Sequence, residues 1–103
     1  MIFYLIFKMQ QSIEQKLAKY FELTSKALKK VKISKSLDPQ VEKSAEDILD
    51  LSQRYYNDAR YFEKKNDLLN AYGAVVYAHA FLDIGAKLGF FDVGNDNEFF
   101  MVD

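Results

Sequence analysis

The sequence predicts an all-α protein in which three helices form an antiparallel up-down-up bundle. Apolar residues recur every three or four positions in three segments of the chain, which is the period of one face of a helix. The 103 residues include 4 glycines and 1 proline, too few for the many turns of a β-sandwich or barrel. Because 50% of the residues are hydrophobic and 28% are charged, we expect one globular domain over residues 1–103.

The first helix is predicted over residues 10–32. Its apolar face consists of residues that step by four and three: Ile13, Leu17, Tyr20, Thr24, Ala27 and Val31. Lysines crowd its C-terminal end, where positive charge is favourable because of the helix dipole. The segment Lys26 to Lys35 is here called the lysine cluster, and its members are Lys26, Lys29, Lys30, Lys32 and Lys35.

The lysine cluster belongs to a wider charge asymmetry. Residues 1–35 hold eight lysines against two glutamates, although the whole chain has a net charge of -1. The basic segment either complements acidic groups within the bundle or binds an anionic partner, a nucleotide or RNA, together with neighbouring tyrosines. The first interpretation is favoured, because the cluster contains neither arginines nor interleaved aromatic residues.

The second helix is predicted over residues 39–65. Asp38 and Pro39 form a helix start, because Asp caps the first turn and the missing N–H of proline is harmless at the first helical position. The apolar face consists of Val41, Ala45, Ile48, Ser52, Tyr55, Ala59 and Phe62. Asn66 and Asp67 can end this helix and cap the next one.

The third helix is predicted over residues 67–88, with Gly89 after its end. Its periodic face consists of Leu68, Tyr72, Val75, His79, Leu82 and Ala86. From Leu68 to Ala86 the only charged residue is Asp83 and apolar side chains surround the helix, so we expect it to be the most buried element. Four small residues share a face where another helix could approach closely: Ala71, Ala74, Ala78 and Gly85.

Both ends of the chain leave two interpretations open. The aromatic tail over residues 90–103 contains two short apolar runs around a turn at residues 94–97, and it forms either a hairpin or a segment that folds back over the bundle. Either residues 1–7 pair with the tail as a strand, or residues 1–8 precede the natural start, which is then Met9. The opening apolar run is shorter than the about 20 residues that span a bilayer, so we expect no membrane association.

Three elements carry a resemblance to a known family. The second helix contains Asp-Ala-Arg-Tyr-Phe at residues 58–62, the third contains Tyr-Ala-His-Ala-Phe-Leu-Asp-Ile-Gly at residues 77–85, and Gly-Phe-Phe-Asp-Val follows at residues 89–93. Over most of its length the sequence resembles the short archaeal proteins grouped as domain of unknown function 357. Ala80 and Phe81 stand where the family usually has Gly and Trp, and both are apolar. The resemblance implies a three-helix bundle, an archaeal cytoplasmic protein and no assigned activity.

Polar residues of the second and third helices form a candidate polar cluster: His79, Asp83, Asp58, Tyr55 and Tyr72. His79 and Asp83 are four residues apart and therefore share a helical face. In the functional interpretation, the carboxylate orients the imidazole for acid–base chemistry. In the structural interpretation, which is favoured, the pair is buried and satisfied by a tyrosine hydroxyl or by Arg54 or Arg60 of the second helix.

Other chemistry finds little support in the sequence. The chain has no cysteine and one histidine, and its scattered glycines form no phosphate-binding loop. We therefore expect no cofactor, no metal and no catalytic residue. The favoured hypothesis is a non-enzymatic helical interaction module that docks to itself or to a protein partner through the small-residue face and the aromatic tail. The alternatives are a nucleotide- or RNA-associated domain that uses the lysine cluster and an enzyme built on His79 and Asp83.

Overall fold

Three long helices make up nearly all of the regular structure in this computed structural model. The structure describes residues 2–96 and 98–100, with side chains from residue 12 onward. The helices are α1 (Ile2–Lys30), α2 (Pro39–Lys64) and α3 (Leu68–Lys87). In the described ranges there is no strand, and the only β-type pairing is an isolated bridge between Ile33 and Phe91. The predicted all-α, three-helix fold is confirmed.

The first helix begins earlier than predicted. Residues 2–8 belong to α1, so the interpretation of this segment as a strand is wrong for them, and Met1 lies outside the described residues. No glycine or proline occurs before Lys30, so the sequence offers no residue that would break a helix in this stretch. α1 ends at Lys30, two residues before the predicted end.

Side-chain caps begin α2 and α3 where the sequence predicts them. Asp38 accepts a hydrogen bond from the backbone N–H of Gln40 at 3.0 Å. Asp67 accepts one from the backbone N–H of Asn70 at 3.3 Å and another from the Asn70 side chain at 2.7 Å. Between the two helices, Asn66 adopts a left-handed backbone with φ of 57°, which asparagine tolerates better than most residues.

α3 lies between the other two helices and packs against both. α1 runs parallel to α3, because Tyr20 packs against Tyr72 and Thr24, one turn later, contacts His79. The later residue of α1 thus contacts the later residue of α3, as it does when two helices run in the same direction.

α2 runs in the opposite direction to α3. Ala59, late in α2, lies with Ala71, early in α3, in one core cluster, whereas Ala45, early in α2, lies with Leu82, late in α3, in another. The order of directions is thus up, down and up, as predicted.

The core consists of two clusters of buried apolar side chains. The first contains Leu17, Phe21, Ala59, Ala71, Ala74 and Val75. The second contains Ala27, Ala45, Leu82, Phe91, Val93 and Phe100. The tail therefore supplies half of the buried residues in the second cluster, and the bundle is incomplete without it.

The aromatic tail folds back over the bundle, which is one of the two predicted alternatives. Its described part contains no strand, so the hairpin interpretation is not supported there. The N–H of Ser34 donates to the carbonyl of Phe90 at 2.9 Å, and the N–H of Asp92 donates to the carbonyl of Lys32 at 2.8 Å. The tail thus pairs with the α1–α2 connection while its phenylalanines enter the core, where apolar rings are stable.

α3 is less enclosed than its composition predicts. The four small residues of the predicted docking face are buried within the chain: Ala71, Ala74, Ala78 and Gly85. A Cβ atom on Gly85 would clash with the ring of Phe91. The small-residue face therefore serves internal packing, and the opposite face of α3 is exposed because α1 and α2 cover only its inner sides.

Candidate functional site

His79 lies in a small polar layer inside the bundle. It is 8% exposed, and its Nδ1 atom shares a hydrogen bond of 3.1 Å with Oγ1 of the fully buried Thr24 from α1. The other ring nitrogen, Nε2, lies 3.6 Å from Oδ1 of Asp83, one turn further along α3. The sequence contains a signal for this layer. Thr24 is a polar residue within the apolar face of the first helix, and His79 is a polar residue within the apolar face of the third.

Ser52 extends the polar layer from the side of α2. Its fully buried hydroxyl donates to the carbonyl of Ala78 at 2.7 Å. α1 and α2 therefore each insert one hydroxyl against neighbouring residues of α3. Every buried side-chain nitrogen and oxygen in the described part of the chain has a hydrogen-bond partner. Such a layer stabilises one helix register, because a shift would leave a buried group unpaired.

The tyrosines of the candidate polar cluster lie in aromatic pairs. Tyr55 stacks on Tyr77 and Phe81, with ring centroids 5.4 Å and 5.7 Å apart. Tyr72 packs edge-on against Tyr20 at 5.6 Å. These contacts place both tyrosines with other rings rather than in one polar site.

The charged residues of α2 are also engaged away from the histidine. Asp58 is exposed on α2, and Arg54 forms an ion pair with Asp50 at 2.8 Å. Arg60 lies over the ring of Phe21, 4.1 Å from its centroid. The hydrogen-bond partner of the His79 Nδ1 atom is a threonine of α1, which the sequence did not predict, and a tyrosine or arginine partner for the His79–Asp83 pair stays a prediction.

Open cavities lie elsewhere on the described surface. One of ≈ 510 Å³ lies beside the tail, next to Lys35 and Asp92, one of ≈ 360 Å³ lies between Leu28 of α1 and Leu49 of α2, and one of ≈ 200 Å³ lies between Lys26 of α1 and Phe99 of the tail. None of these three is lined by His79. Among the residues from 12 to 100 whose side chains are described, no three His, Asp or Glu are grouped to hold a metal ion.

The lysine cluster is partly neutralised within the chain. Lys26 forms an ion pair with Glu22 at 2.8 Å, and its hydrogen bond lowers the pKa of Glu22. Lys30 pairs with Asp96 of the tail, and this hydrogen bond lowers the pKa of Asp96. The charges of these two lysines are therefore compensated by acidic side chains of the same chain. All five members are exposed, and the three that lie outside these two ion pairs are Lys29, Lys32 and Lys35.

Several tyrosines lie apart from the lysine cluster. Tyr20, Tyr56 and Tyr72 pack against the first core cluster. Lys30 instead lies 5.7 Å from the ring centroid of Phe99 in the tail, beside the second core cluster. The structure therefore places a phenylalanine of the tail, and none of these three tyrosines, beside the lysine cluster.

An exposed apolar surface runs along the outside of α3, and it was not predicted. This outer face of α3 consists of Leu69, Gly73, Tyr77, Ile84 and Leu88. The exposed fractions of its large side chains are 77% for Leu69, 60% for Tyr77, 47% for Ile84 and 61% for Leu88. Spacings of four and seven residues place them along one line of the helix.

Gly73 occupies the middle of the outer face. A Cβ atom added at Gly73 would meet nothing within 4 Å. The φ angle of Gly73 is not positive, so its backbone conformation does not require glycine. Neither internal packing nor backbone conformation explains the missing side chain.

The architecture and the surface together define a small all-α bundle protein with an exposed apolar face. A family model described as "Protein of unknown function (DUF357)" matches residues 19–91, and the chain belongs to this family. The resemblance drawn from the helix motifs is thereby confirmed, whereas archaeal origin and cytoplasmic location stay predictions. No curated protein and no solved structure matches the chain. None of the helices in residues 2–87 is long and apolar enough to cross a membrane.

Proposed function

We propose that this protein is a non-enzymatic helical interaction module that docks to protein through the outer face of α3. The observation that carries the proposal is the line of exposed apolar side chains from Leu69 to Leu88. Contiguous exposed apolar patches mark interaction sites, because a soluble protein otherwise keeps them small. The small-residue face is buried within the chain, as are Phe91 and Phe100 of the tail, so the docking surface proposed here lies on the opposite side of α3 from the small-residue face.

The glycine at position 73 supports the docking of a partner on this face. A glycine inside a helix costs about 1 kcal/mol relative to alanine. The space around Gly73 is open, so an alanine would fit there without any contact closer than 4 Å. Close approach of a partner is a physical reason to leave out the side chain at this position.

The polar layer supports a structural role for His79 rather than acid–base chemistry. The ring is almost enclosed, and its two nitrogens lie beside Thr24 and Asp83. A general base must come within hydrogen-bond distance of a substrate proton, directly or through one water. None of the three cavities described above borders this ring.

The proposal can be tested with two tyrosines of nearly equal exposure. Tyr77 lies on the outer face of α3, and Tyr61, which is 57% exposed, lies on α2. In native extracts we expect the wild-type chain to elute from a size-exclusion column above its mass of 12.0 kDa. The double variant Leu69→Gln, Tyr77→Gln should elute as the monomer, while Tyr61→Gln should elute like the wild type. A monomeric wild type, or a folded double variant that elutes with it, contradicts the proposal.

The alternative, a nucleotide- or RNA-associated domain, depends on the exposed lysine cluster, above all on Lys29, Lys32 and Lys35, which lie outside the two ion pairs described above. It predicts that a fluorescent RNA binds at low salt and dissociates steeply as salt is added. The triple variant Lys29→Gln, Lys32→Gln, Lys35→Gln should then lose this binding. An unchanged fluorescence anisotropy with the wild-type protein removes the alternative.

A further inference from the structure

A groove lies between the C-terminal part of α1 and the N-terminal part of α2. α3 packs against both of these helices, whereas α1 and α2 scarcely touch one another in the described part of the chain. The cavity of ≈ 360 Å³ described above opens in this gap, and its apolar lining consists of Leu28, Val31, Ile33 and Leu49. All four side chains are partly buried against the second core cluster. The floor of the groove is therefore apolar and continuous with the core.

The α2 side of the groove is acidic. Glu46, Asp50 and Gln53 line it together with Leu49, and spacings of three and four residues place them along one side of α2. The described residues that line the groove include no lysine and no arginine. Within the part of the chain whose side chains are described, Glu46 forms no ion pair, whereas Asp50 pairs with Arg54 at 2.8 Å. Both members of that pair are exposed, so an incoming cation can replace Arg54 at little cost.

The helix itself does not account for these two carboxylates. The helix dipole favours Glu42, which lies in the first turn of α2, but the effect of the dipole fades beyond that turn. Glu46 and Asp50 lie further along the helix, and like charges four residues apart repel one another. A cation bound between them relieves this repulsion. Their positions beside an apolar floor therefore favour a positively charged, amphipathic occupant.

We infer that this groove is a second docking surface, which binds an amphipathic helix of a partner protein that carries lysine or arginine beside its apolar face. Helices that bind in hydrophobic grooves do so through anchor residues spaced three and four positions apart. The apolar anchors lie between Leu28 and Leu49, and the cations lie against Glu46 and Asp50. The inference does not depend on the outer face of α3.

The size of the cavity fits a side chain of such a helix. Its ≈ 360 Å³ lies near the lower end of the about 300–1,000 Å³ of pockets that enclose small molecules, and it is open to solvent. A helix laid across the opening removes the apolar floor from water, which supplies the driving force for binding. The acidic side then selects a basic helix over an acidic one.

The first experiment uses a fluorescein-labelled peptide of about 15 leucine and lysine residues, in which the leucines recur every three or four positions. We expect its fluorescence anisotropy to rise when the wild-type protein is added, and the binding to weaken as salt is added. A second peptide, with glutamate in place of every lysine, keeps the apolar face and should not bind. Equal binding of the two peptides contradicts the inference.

Two double variants with the same change in charge locate the site. Glu46→Gln, Asp50→Asn removes the acidic side of the groove and should raise the Kd of the lysine peptide at least about tenfold. Glu14→Gln, Asp58→Asn removes two exposed carboxylates elsewhere and should bind the peptide like the wild type. All four positions are exposed, so both proteins should keep the thermal unfolding midpoint of the wild type. Equal weakening in both would show that net charge, and not the groove, attracts the peptide.

The second experiment identifies the occupied surface by crosslinking. The chain has no cysteine, so benzophenone maleimide can be attached at one introduced position. Gln53→Cys lies on the groove, and Lys64→Cys lies at the far end of α2. On irradiation, the lysine peptide should crosslink to the first variant and not to the second. Equal crosslinking of the two variants contradicts docking in the groove.

The double variant Leu69→Gln, Tyr77→Gln separates this inference from the proposed function. It changes the outer face of α3 and should bind the lysine peptide like the wild type. If it loses the peptide, the peptide binds to the outer face and the groove inference is overturned. If light scattering shows dimers of the purified chain that Glu46→Gln, Asp50→Asn dissociates, the occupant is a second copy and the foreign helix is overturned. The extract experiment described above tests only the outer face, so either proposal can fail alone.

Discussion

Thr24 on α1 and His79 on α3 are 55 residues apart in the chain and share a buried hydrogen bond of 3.1 Å. Both occupy core positions of helices that are otherwise apolar on that side. The contact links the two parallel helices, and Ser52 links α2 to the neighbouring turn of α3. Three helices are thus aligned by two hydroxyl groups, because each is satisfied in only one register.

The variant Thr24→Val should lower the free energy of unfolding by about 1–3 kcal/mol, because it removes the hydroxyl and leaves a buried ring nitrogen without its partner. Urea denaturation measures the change. Thr24→Ser keeps the hydroxyl and should cost less than the valine variant. Equal losses in the two variants would show that the methyl group, and not the hydrogen bond, stabilises this position.

The two serines of α2 that donate to backbone carbonyls offer a matched pair. Ser52 is fully buried and donates to Ala78 at 2.7 Å, whereas Ser44 is exposed and donates to Gln40 at 3.2 Å. Ser52→Ala should destabilise the protein by about 1 kcal/mol. Ser44→Ala should change stability by less than about 0.5 kcal/mol, since its hydroxyl is exposed. Similar effects in a thermal unfolding assay would argue against the register role of Ser52.

Two glycines of α3 should respond to alanine with opposite signs. Gly85→Ala should cost about 1–3 kcal/mol, because the new methyl group meets the ring of Phe91. Gly73→Ala should stabilise the monomer by about 0.5–1 kcal/mol, because its surroundings are open and alanine favours the helix. Denaturation at low protein concentration measures both. The double variant Gly85→Ala, Phe91→Leu should recover part of the loss, and failure to do so contradicts the proposed clash.

The contact between Lys30 and Asp96 predicts a pH dependence of stability. The hydrogen bond from Lys30, assisted by the N–H groups of Phe99 and Glu98, lowers the pKa of Asp96. A carboxyl group with a lowered folded-state pKa stabilises the fold above its unfolded pKa, and this stabilisation is lost as pH falls through the folded pKa. Asp96→Asn should therefore lower the thermal midpoint at neutral pH and match the wild type in strong acid.

The control for this pH dependence is Asp47→Asn, on the exposed side of α2. The thermal midpoint of Asp47→Asn should differ from that of the wild type by a nearly constant amount across the same range of pH. A deficit of Asp96→Asn that persists unchanged into acid would show that the ionised carboxylate is not the stabilising group.

Local features of this protein follow directly from its sequence. The starts of α2 and α3 depend on hydrogen bonds that Asp38 and Asp67 accept from backbone N–H groups two and three residues later, so these caps can be predicted from the sequence. The proximity of His79 and Asp83 follows from helix geometry in the same way. The helix periods likewise indicate which sides of α1 and α2 enter the core.

Contacts between distant segments depend on how the helices pack. The partner of His79 could not be assigned from sequence, because a choice among Thr24, a tyrosine and an arginine depends on which helix approaches that turn. The pairing of Lys30 with Asp96 depends in the same way on the return of the tail, 66 residues later. α3 shows the limit most clearly. The periodic face from Leu68 to Ala86 does point inward, but apolar residues also lie on the other sides of this helix. The sequence therefore does not tell which of those other residues are buried, and the positions of α1 and α2 leave Leu69, Tyr77 and Leu88 in water.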